Sequence, residues 1–189
     1  ENIDINFSKA KLLLDIKSFN LKIKLIEPKI ETKEIAIEIL DLNSIISLKS
    51  YLNNKFAIKK IKIKSNRIEI IDFIDFVRST YPTPSIFILK NTVNSGKIEG
   101  ETELFFNEKG EVQDNYEIKG SILNLEAKLL NKYKLSKVNS NFIIKKDSFQ
   151  IDIKDNQFLG LNFNSTNIDI IRNKKDYNFI IKFKNFGKI

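Results

Sequence analysis

The sequence predicts a mainly β protein: a long, curved antiparallel sheet that forms an open groove and carries one or two short helices. The first observation is an alternation of apolar and polar residues that recurs along most of the chain, beginning with Ile3, Ile5 and Phe7. A strand with this period of two has one apolar and one polar face. The second observation is that only 6 glycines occur in 189 residues, which leaves few sites for the tight corners of a closed barrel. Long, numerous strands with few such corners favour an open sheet.

Residues 1–81 are predicted to hold N-terminal strands together with two short helices. The first helix is expected near 44–53, where Ile45, Leu48 and Leu52 recur at helical spacing. The second is expected near 72–80, where apolar residues again recur at intervals of three and four. The strands are expected at about 2–8, 11–16, 19–27, 33–40, 56–64 and 67–71.

The strand at 56–64 contains a change of parity. Ile58 and Ile61 cannot lie on the same face of a regular strand, because their positions differ by three, an odd number. One extra residue would bring both onto the apolar face. The sequence therefore predicts a β-bulge near Lys59 and Lys60.

Residues 82–189 are predicted to form an antiparallel β-meander that creates an apolar groove. Pro82 and Pro84 mark its boundary, and every later element is expected to be a strand. Gly110 is expected to take positive φ in a hairpin turn, and the flanking strands must pair even with even residues, which leaves two registers. The strands are expected at about 85–90, 96–106, 114–122, 124–130, 133–138, 140–146, 148–154, 158–164, 166–172 and 177–184.

Alternation in this second part assigns one set of apolar side chains to a single concave surface. The predicted groove-lining residues are Leu104, Phe106, Tyr116, Ile118, Phe142, Ile144, Phe149, Ile151, Phe163, Ile168, Ile170, Phe179, Ile181 and Phe183.

Composition bounds the class of protein. No Met occurs and both ends fall within strand-like sequence, so we expect a segment of a longer chain. The sequence has no run of about 18 or more apolar residues, so no transmembrane helix is expected within it. A hydrophobic content of 42% is enough for an ordered apolar surface and argues against disorder.

The net charge of +8 raises the question of a nucleic-acid partner. Among the 32 cations only Arg67, Arg78 and Arg172 are arginines. Arginine is the usual bidentate reader of phosphate and guanine. The sequence therefore favours a solvated, lysine-rich face and predicts no nucleic-acid partner.

The sequence predicts no catalytic residue, no metal site and no cofactor, and hence a protein that is not an enzyme. With no His and no Cys, the commonest general base, the usual metal ligands and the thiol nucleophile are missing. The carboxylate pairs Asp72/Asp75 and Asp152/Asp155 are interpreted as a helix start and a strand end.

Two stretches resemble AsmA-like envelope proteins, the family of TamB and YhdP relatives. The first, SIISLKSYLNNKFAIKKIKIKSNRIEIID at 44–72, has the family's order of strand, short leucine-containing helix and Lys–aromatic–x–Ile opening of the next strand. Lys55, Phe56 and Ile58 occupy that opening. The second, at 96–145, is similar to the family's later hairpins, in which Gly-x-x-x-Gly precedes a strand.

The resemblance implies a periplasm-spanning, bridge-like lipid-transfer protein. In this family a curved β groove shelters phospholipid acyl chains and supports phospholipid transport between the inner and outer membranes, so outer-membrane biogenesis is the implied process. The implied location is the periplasm, with an inner-membrane anchor in a segment outside this sequence. Phospholipid acyl chains are the implied partners, and both membranes are contacted through other regions.

Two other classes of protein share the alternation. One is a closed structural or adhesive β domain, in which the apolar face is a sealed core. The other is an outer-membrane β-barrel fragment, whose lipid-facing strands also alternate. The absence of Trp and of obvious aromatic girdles argues against the second.

Overall fold

The computed structural model describes residues 4–129, 132–158, 161–172 and 177–184, and for 129, 155–158, 161–164, 177–179 and 181–184 it describes the backbone alone. Among these residues, thirteen strands form one open antiparallel sheet, and the helices are few and short, which confirms the predicted fold class. The strands of the first part are β1 (Asp4–Asn6), β2 (Lys9–Asp15), β3 (Asn20–Ile26), β4 (Lys29–Glu31), β5 (Ala36–Ser47), β6 (Ile58–Ser65) and β7 (Ile68–Glu69). The strands of the second part are β8 (Val93–Phe105), β9 (Glu117–Leu129), β10 (Tyr133–Lys145), β11 (Ser148–Phe158), β12 (Leu161–Arg172) and β13 (Tyr177–Lys184).

The sheet is built from hairpins placed side by side. Its order is β1–β4–β5–β6–β8–β9–β10–β11–β12–β13, with β2 and β3 attached to β5 and with β7 attached to β8. The long strand β5 pairs with β4 through its first half and with β3 through its second half. Strands from both sides of Pro82 belong to this one sheet.

The structure confirms two further predictions about the strands, one on register and one on a turn. Gly100 pairs with Gly120 and Thr102 with Ile118, so even residues oppose even residues as predicted, in one of the two allowed registers. Gly110 has a φ of 85°, which confirms the predicted turn.

The predicted bulge in β6 is also confirmed. Ile45 pairs with Lys60, whereas the next residue, Ile46, pairs with Ile58. Lys59 is therefore the extra residue, and it returns Ile58 and Ile61 to the same face.

The first two helices lie close to the predicted places. α1 (Leu48–Leu52) is shorter than the predicted 44–53, because 44–47 continue β5 and the helix begins only after its cap, Ser47. The Ser47 Oγ accepts the Ser50 backbone N–H at 3.1 Å. α2 (Ile70–Thr80) matches the helix expected near 72–80.

A third helix, α3 (Pro84–Thr92), replaces the strand expected at 85–90, so that prediction is wrong and the meander begins only at β8. The Thr83 Oγ1 accepts the Ile86 backbone N–H at 3.4 Å, and Pro84 opens the helix, where its missing N–H costs nothing. A short apolar run does not distinguish a helix from a buried strand, and here the cap and the proline decide.

The expected breaks within β9 and β10 are wrong. Each is one strand of 13 residues with register shifts, and Asn124 and Lys137 take positive φ near those shifts. Local irregularities that absorb extra residues look like strand ends in a sequence.

The buried core lies beneath α2. One cluster contains Ile37, Ile39 and Leu42 of β5, and Phe76 of α2 packs against it. The other joins Ile70 and Ile74 of α2 to Val93 at the start of β8. α2 is therefore packed on one part of the sheet, over β5, β7 and β8.

Candidate functional site

One side of the sheet, which we call the apolar face, carries rows of apolar residues that cross most of its strands. Residues opposite each other in a register share a face, so the pairings trace each row directly. The longest row runs from β3 to β13 through Leu25, Leu42, Ile63, Thr102, Ile118, Ile144, Phe149, Ile170 and Phe179. The row beside it contains Gly100, Gly120, Phe142, Ile151, Ile168 and Ile181.

The structure brings most of the predicted groove-lining residues onto this face. The described ones in the two rows are half-buried: Ile118, Phe142, Ile144, Phe149, Ile151, Ile168 and Ile170. Leu104 pairs with Ile61 beside the longest row. Tyr116 lines a cavity of about 210 Å³ with Ile144, Phe149 and Ile170.

The remaining predicted residues stand apart. Phe106 lies at the edge of the face, with its ring centroid 5.6 Å from that of Phe56. The backbone of Phe163 pairs with Asn156, outside the two rows. The side chains of Phe163, Phe179, Ile181 and Phe183 lie outside the described residues.

The cover over the apolar face is uneven. α2 packs on β5, β7 and β8, and α3 packs on α2, β8 and β9. On β10, β11 and β12, Val138 is the one buried apolar side chain among those that the structure describes. Ser140 and Thr166 on the same face are also buried, and most of the other described residues alternate between half-buried and exposed, as expected for a sheet with one partly sheltered face. The apolar face thus continues out from under α2 towards β12.

The helix and the face enclose an apolar cavity of about 200 Å³, which we call the α2 cleft. Phe73 and Phe76 of α2 form its roof, and Ile63 and Ile98 lie in its floor. Ile118 and Phe142 also line it, so the cleft leads directly onto the rows of the open part.

A pair of glycines makes room in the floor of the cleft. Gly100 and Gly120 oppose each other, and a Cβ on Gly120 would lie 2.3 Å from the Glu99 carbonyl oxygen and 2.8 Å from Cζ of Phe142. The Phe142 ring therefore packs over the Gly120 backbone. Beside them the Ser65 Oγ accepts the Gly100 backbone N–H at 2.7 Å.

Sequence reasoning missed the α2 cleft. Gly100 and Gly120 stand at apolar parity within strands, and this was the signal for a recess in the floor. The roof residues Phe73 and Phe76 had no local signal, because the sequence does not say which part of the sheet α2 covers.

The opposite face is mostly polar, although Ile143 and Ile180 are exposed on it, and ion pairs join its neighbouring strands. On β8, Glu101 accepts from Lys62 of β6 at 2.7 Å and lies 3.8 Å from Lys119 Nζ of β9. Glu103 pairs with Lys60 in the same way. The hydrogen bond from Lys62 is the main cause that holds the pKa of Glu101 below its usual value of 4.5.

The carboxylates considered in the sequence do not come together as a site. Asp75 of α2 forms an ion pair with Lys90 of α3 at 2.5 Å and with Arg78 at 3.6 Å. Asp152 is exposed and pairs in register with Asn141 and Asn167, and the Asp155 side chain lies outside the described residues. Across the part of the chain that the structure describes, no three acidic side chains are grouped to hold a metal ion.

A larger cavity of about 580 Å³ lies at the sheet end that carries α1. Lys49, Lys55 and Lys59 line it, all three are exposed, and Lys55 is already paired with Glu108. This cavity is a solvated rim, so the α2 cleft and the apolar face remain the candidate site.

Comparisons with family models, curated proteins and solved structures found no match to this chain. None of the helices described is long and apolar enough to cross a membrane.

Proposed function

We propose that this chain is a non-enzymatic, lipid-sheltering segment whose apolar face holds phospholipid acyl chains. The observation that carries the proposal is the continuity of apolar rows from the α2 cleft onto an uncovered part of the sheet. On β9, β10, β11 and β12 the described row residues are only half-buried, and a contiguous apolar surface that no other described element seals is unusual unless something binds it. Acyl chains suit such a surface, since burial is worth about 25 cal/mol per Å² and needs no specific polar contact.

The direction of the rows supports movement across the strands. The longest row passes through nine strands, which at about 4.8 Å per strand is a path of about 40 Å. This path is longer than the roughly 30 Å hydrocarbon thickness of a bilayer. An acyl chain could therefore shift from one strand to the next without meeting a charged side chain, because the ion pairs lie on the other face.

The proposal extends to a place in the cell. The resemblance at 44–72 and 96–145 to AsmA-like envelope proteins supports a periplasmic location, an anchor to the inner membrane outside this segment, and a role in phospholipid transport between the two membranes. The role requires no catalytic residue, cofactor or nucleic acid.

Photo-crosslinking from adjacent residues on opposite faces tests the proposal. A photoreactive amino acid at Ile118 or Ile151 is expected to capture phospholipid in a Gram-negative host. The same probe at Glu117 or Asp152, the adjacent residue in each strand and on the opposite face, is the matched control and should capture none. Equal labelling of both sets, or no lipid from either, would refute an acyl-chain site on the apolar face.

A further inference from the structure

The helical hairpin formed by α2 and α3 exposes large apolar side chains that no other described element covers. Tyr81 is 71% exposed, Phe87 61% and Ile88 63%, and Leu89 is also exposed. We call these four residues the hairpin patch. A group of this size in so short a segment marks an interaction surface.

The inner side of α3 is packed against the core. The hairpin patch therefore belongs to a helix that is already part of the fold. Ile86 packs against the cluster of Ile70, Ile74 and Val93. Lys90 is joined to Asp75 of α2 by an ion pair. The hairpin can therefore present its outer side as a firm surface.

The charge beside the hairpin patch is mainly positive: Lys90 is paired with Asp75, and Glu126 precedes the three lysines at the β9–β10 end of the sheet. Val93, which follows α3, pairs with Ala127 of β9, so the β9–β10 end of the sheet adjoins the helix. Residues 81–92 and 127–134 contain Lys90, Lys128, Lys132 and Lys134 and no Asp or Glu.

Two of these lysines oppose each other. Lys128 pairs directly with Lys134 in the register of β9 and β10, and both are exposed. Like charges in this position repel. An anionic surface at this end of the sheet would relieve that repulsion.

The backbone distinguishes this patch from β2, which is exposed and apolar, as are Tyr51 and Leu52 of α1. Leu12 and Leu13 of β2 are 66% and 61% exposed, but β2 is an edge strand with unpaired backbone groups on its outer side. Unpaired N–H and C=O groups are costly in an apolar phase, whereas a helix satisfies its own. The hairpin patch is therefore suited to lipid, and β2 is suited to water or to another strand.

We propose that the α2–α3 hairpin docks on an anionic phospholipid bilayer, with Phe87, Ile88 and Leu89 inserted among the headgroups and the lysines against the anionic headgroups. Docking of a second copy is disfavoured, because it would bring two sets of the same lysines together. The inference builds on the proposed function, since α2 also roofs the cleft and a docked hairpin would bring lipid beside it.

Vesicle co-sedimentation tests the docking. The chain is expected to bind vesicles of phosphatidylcholine mixed with phosphatidylglycerol more strongly than vesicles of phosphatidylcholine alone, and the difference should shrink with added salt. The double variant Phe87→Ser/Ile88→Ser should lose about tenfold or more of the binding, because two apolar side chains no longer insert. The variant Lys128→Gln/Lys134→Gln should lose only the preference for the anionic vesicles.

The matched control is Leu12→Ser/Leu13→Ser, which removes equally exposed apolar side chains from β2 and should leave vesicle binding unchanged. Circular dichroism checks that each variant is folded. Unchanged binding by Phe87→Ser/Ile88→Ser, or no vesicle binding by the parent chain, would overturn the proposal. A patch-dependent dimer in light scattering, without vesicle binding, would assign the patch to a second copy instead.

The result is separable from that for the acyl-chain site. If only the docking is wrong, Phe87→Ser/Ile88→Ser leaves both vesicle binding and crosslinking from Ile151 intact. If only the acyl-chain site is wrong, Ile151 captures no lipid while vesicle binding still depends on Phe87 and Ile88.

Discussion

At the scale of single residues, Gly120 shows how closely the sheet is packed beneath the α2 cleft. It faces Gly100 on one side and Phe142 on the other, and all three lie in the same row. The space above the glycine backbone is taken by the aromatic ring, and the space beside it by the neighbouring strand. A side chain at this position would have to move one of them.

We predict that Gly120→Ala destabilises the protein by about 3 kcal/mol, because the new Cβ meets backbone atoms of β8 that cannot rotate away. Thr102→Ala, in the neighbouring pair of the same face, is the control and should cost about 1 kcal/mol. Urea denaturation followed by circular dichroism measures both. Similar losses for the two variants would mean that the strands separate easily at this point.

At the scale of elements, the strands were largely predictable and the helices only partly so. Period-two alternation requires nothing beyond neighbouring residues, which is why β8 and the bulge at Lys59 could be predicted. α3 could not, because five apolar or small residues after a proline fit either a strand or a helix. The position of α2 over the sheet depends on contacts distant in sequence, and so the α2 cleft was invisible.

Strand pairing on the polar face should depend on pH. The pKa of Glu101 is lowered in the folded protein, so its ion pairs stabilise the sheet above the unfolded pKa near 4.5. That stability is lost as the pH falls through the lower, folded value. Because the group is partly exposed, the contribution at neutral pH should be about 0.5–1 kcal/mol.

We therefore predict that Glu101→Gln lowers the melting temperature at pH 7 and reduces the further loss on acidification. Asp152→Asn, an exposed change outside these ion pairs, should leave the acid dependence as it is. Thermal melts from neutral to acid pH measure both. An unchanged acid profile in Glu101→Gln would show that other carboxylates dominate.

At the scale of the whole molecule, the protein has two kinds of apolar surface. The clusters under α2 are buried, with Ile74 only 5% exposed. On β10, β11 and β12, the described residues of the two rows are only half-buried. The same substitution should therefore have different effects in the two places.

We predict that Ile74→Asp destabilises the fold by several kcal/mol, because its carboxylate has no access to water. Ile151→Asp should lower the melting temperature of the lipid-free protein only modestly, since this carboxylate can reach solvent, while the amount of co-purified lipid falls strongly. Calorimetry and mass spectrometry of extracted lipid measure the two effects. Equal unfolding by both substitutions would mean that the face is a sealed core, and acyl-chain binding would then be excluded.

The even-with-even pairing of β8 and β9 has a consequence for how such a chain can change over generations. Each position on the apolar face needs only an apolar side chain, so Ile, Leu, Val and Phe are nearly interchangeable there. A single inserted or deleted residue, in contrast, would move every later side chain of the strand to the opposite face. Apolar substitutions are thus well tolerated, whereas an insertion or deletion within a strand is destabilising unless a bulge such as that at Lys59 accommodates it. Selection on this surface therefore preserves the alternation of apolar and polar residues rather than the identity of each residue. Two such chains could have the same apolar surface while sharing few identical residues.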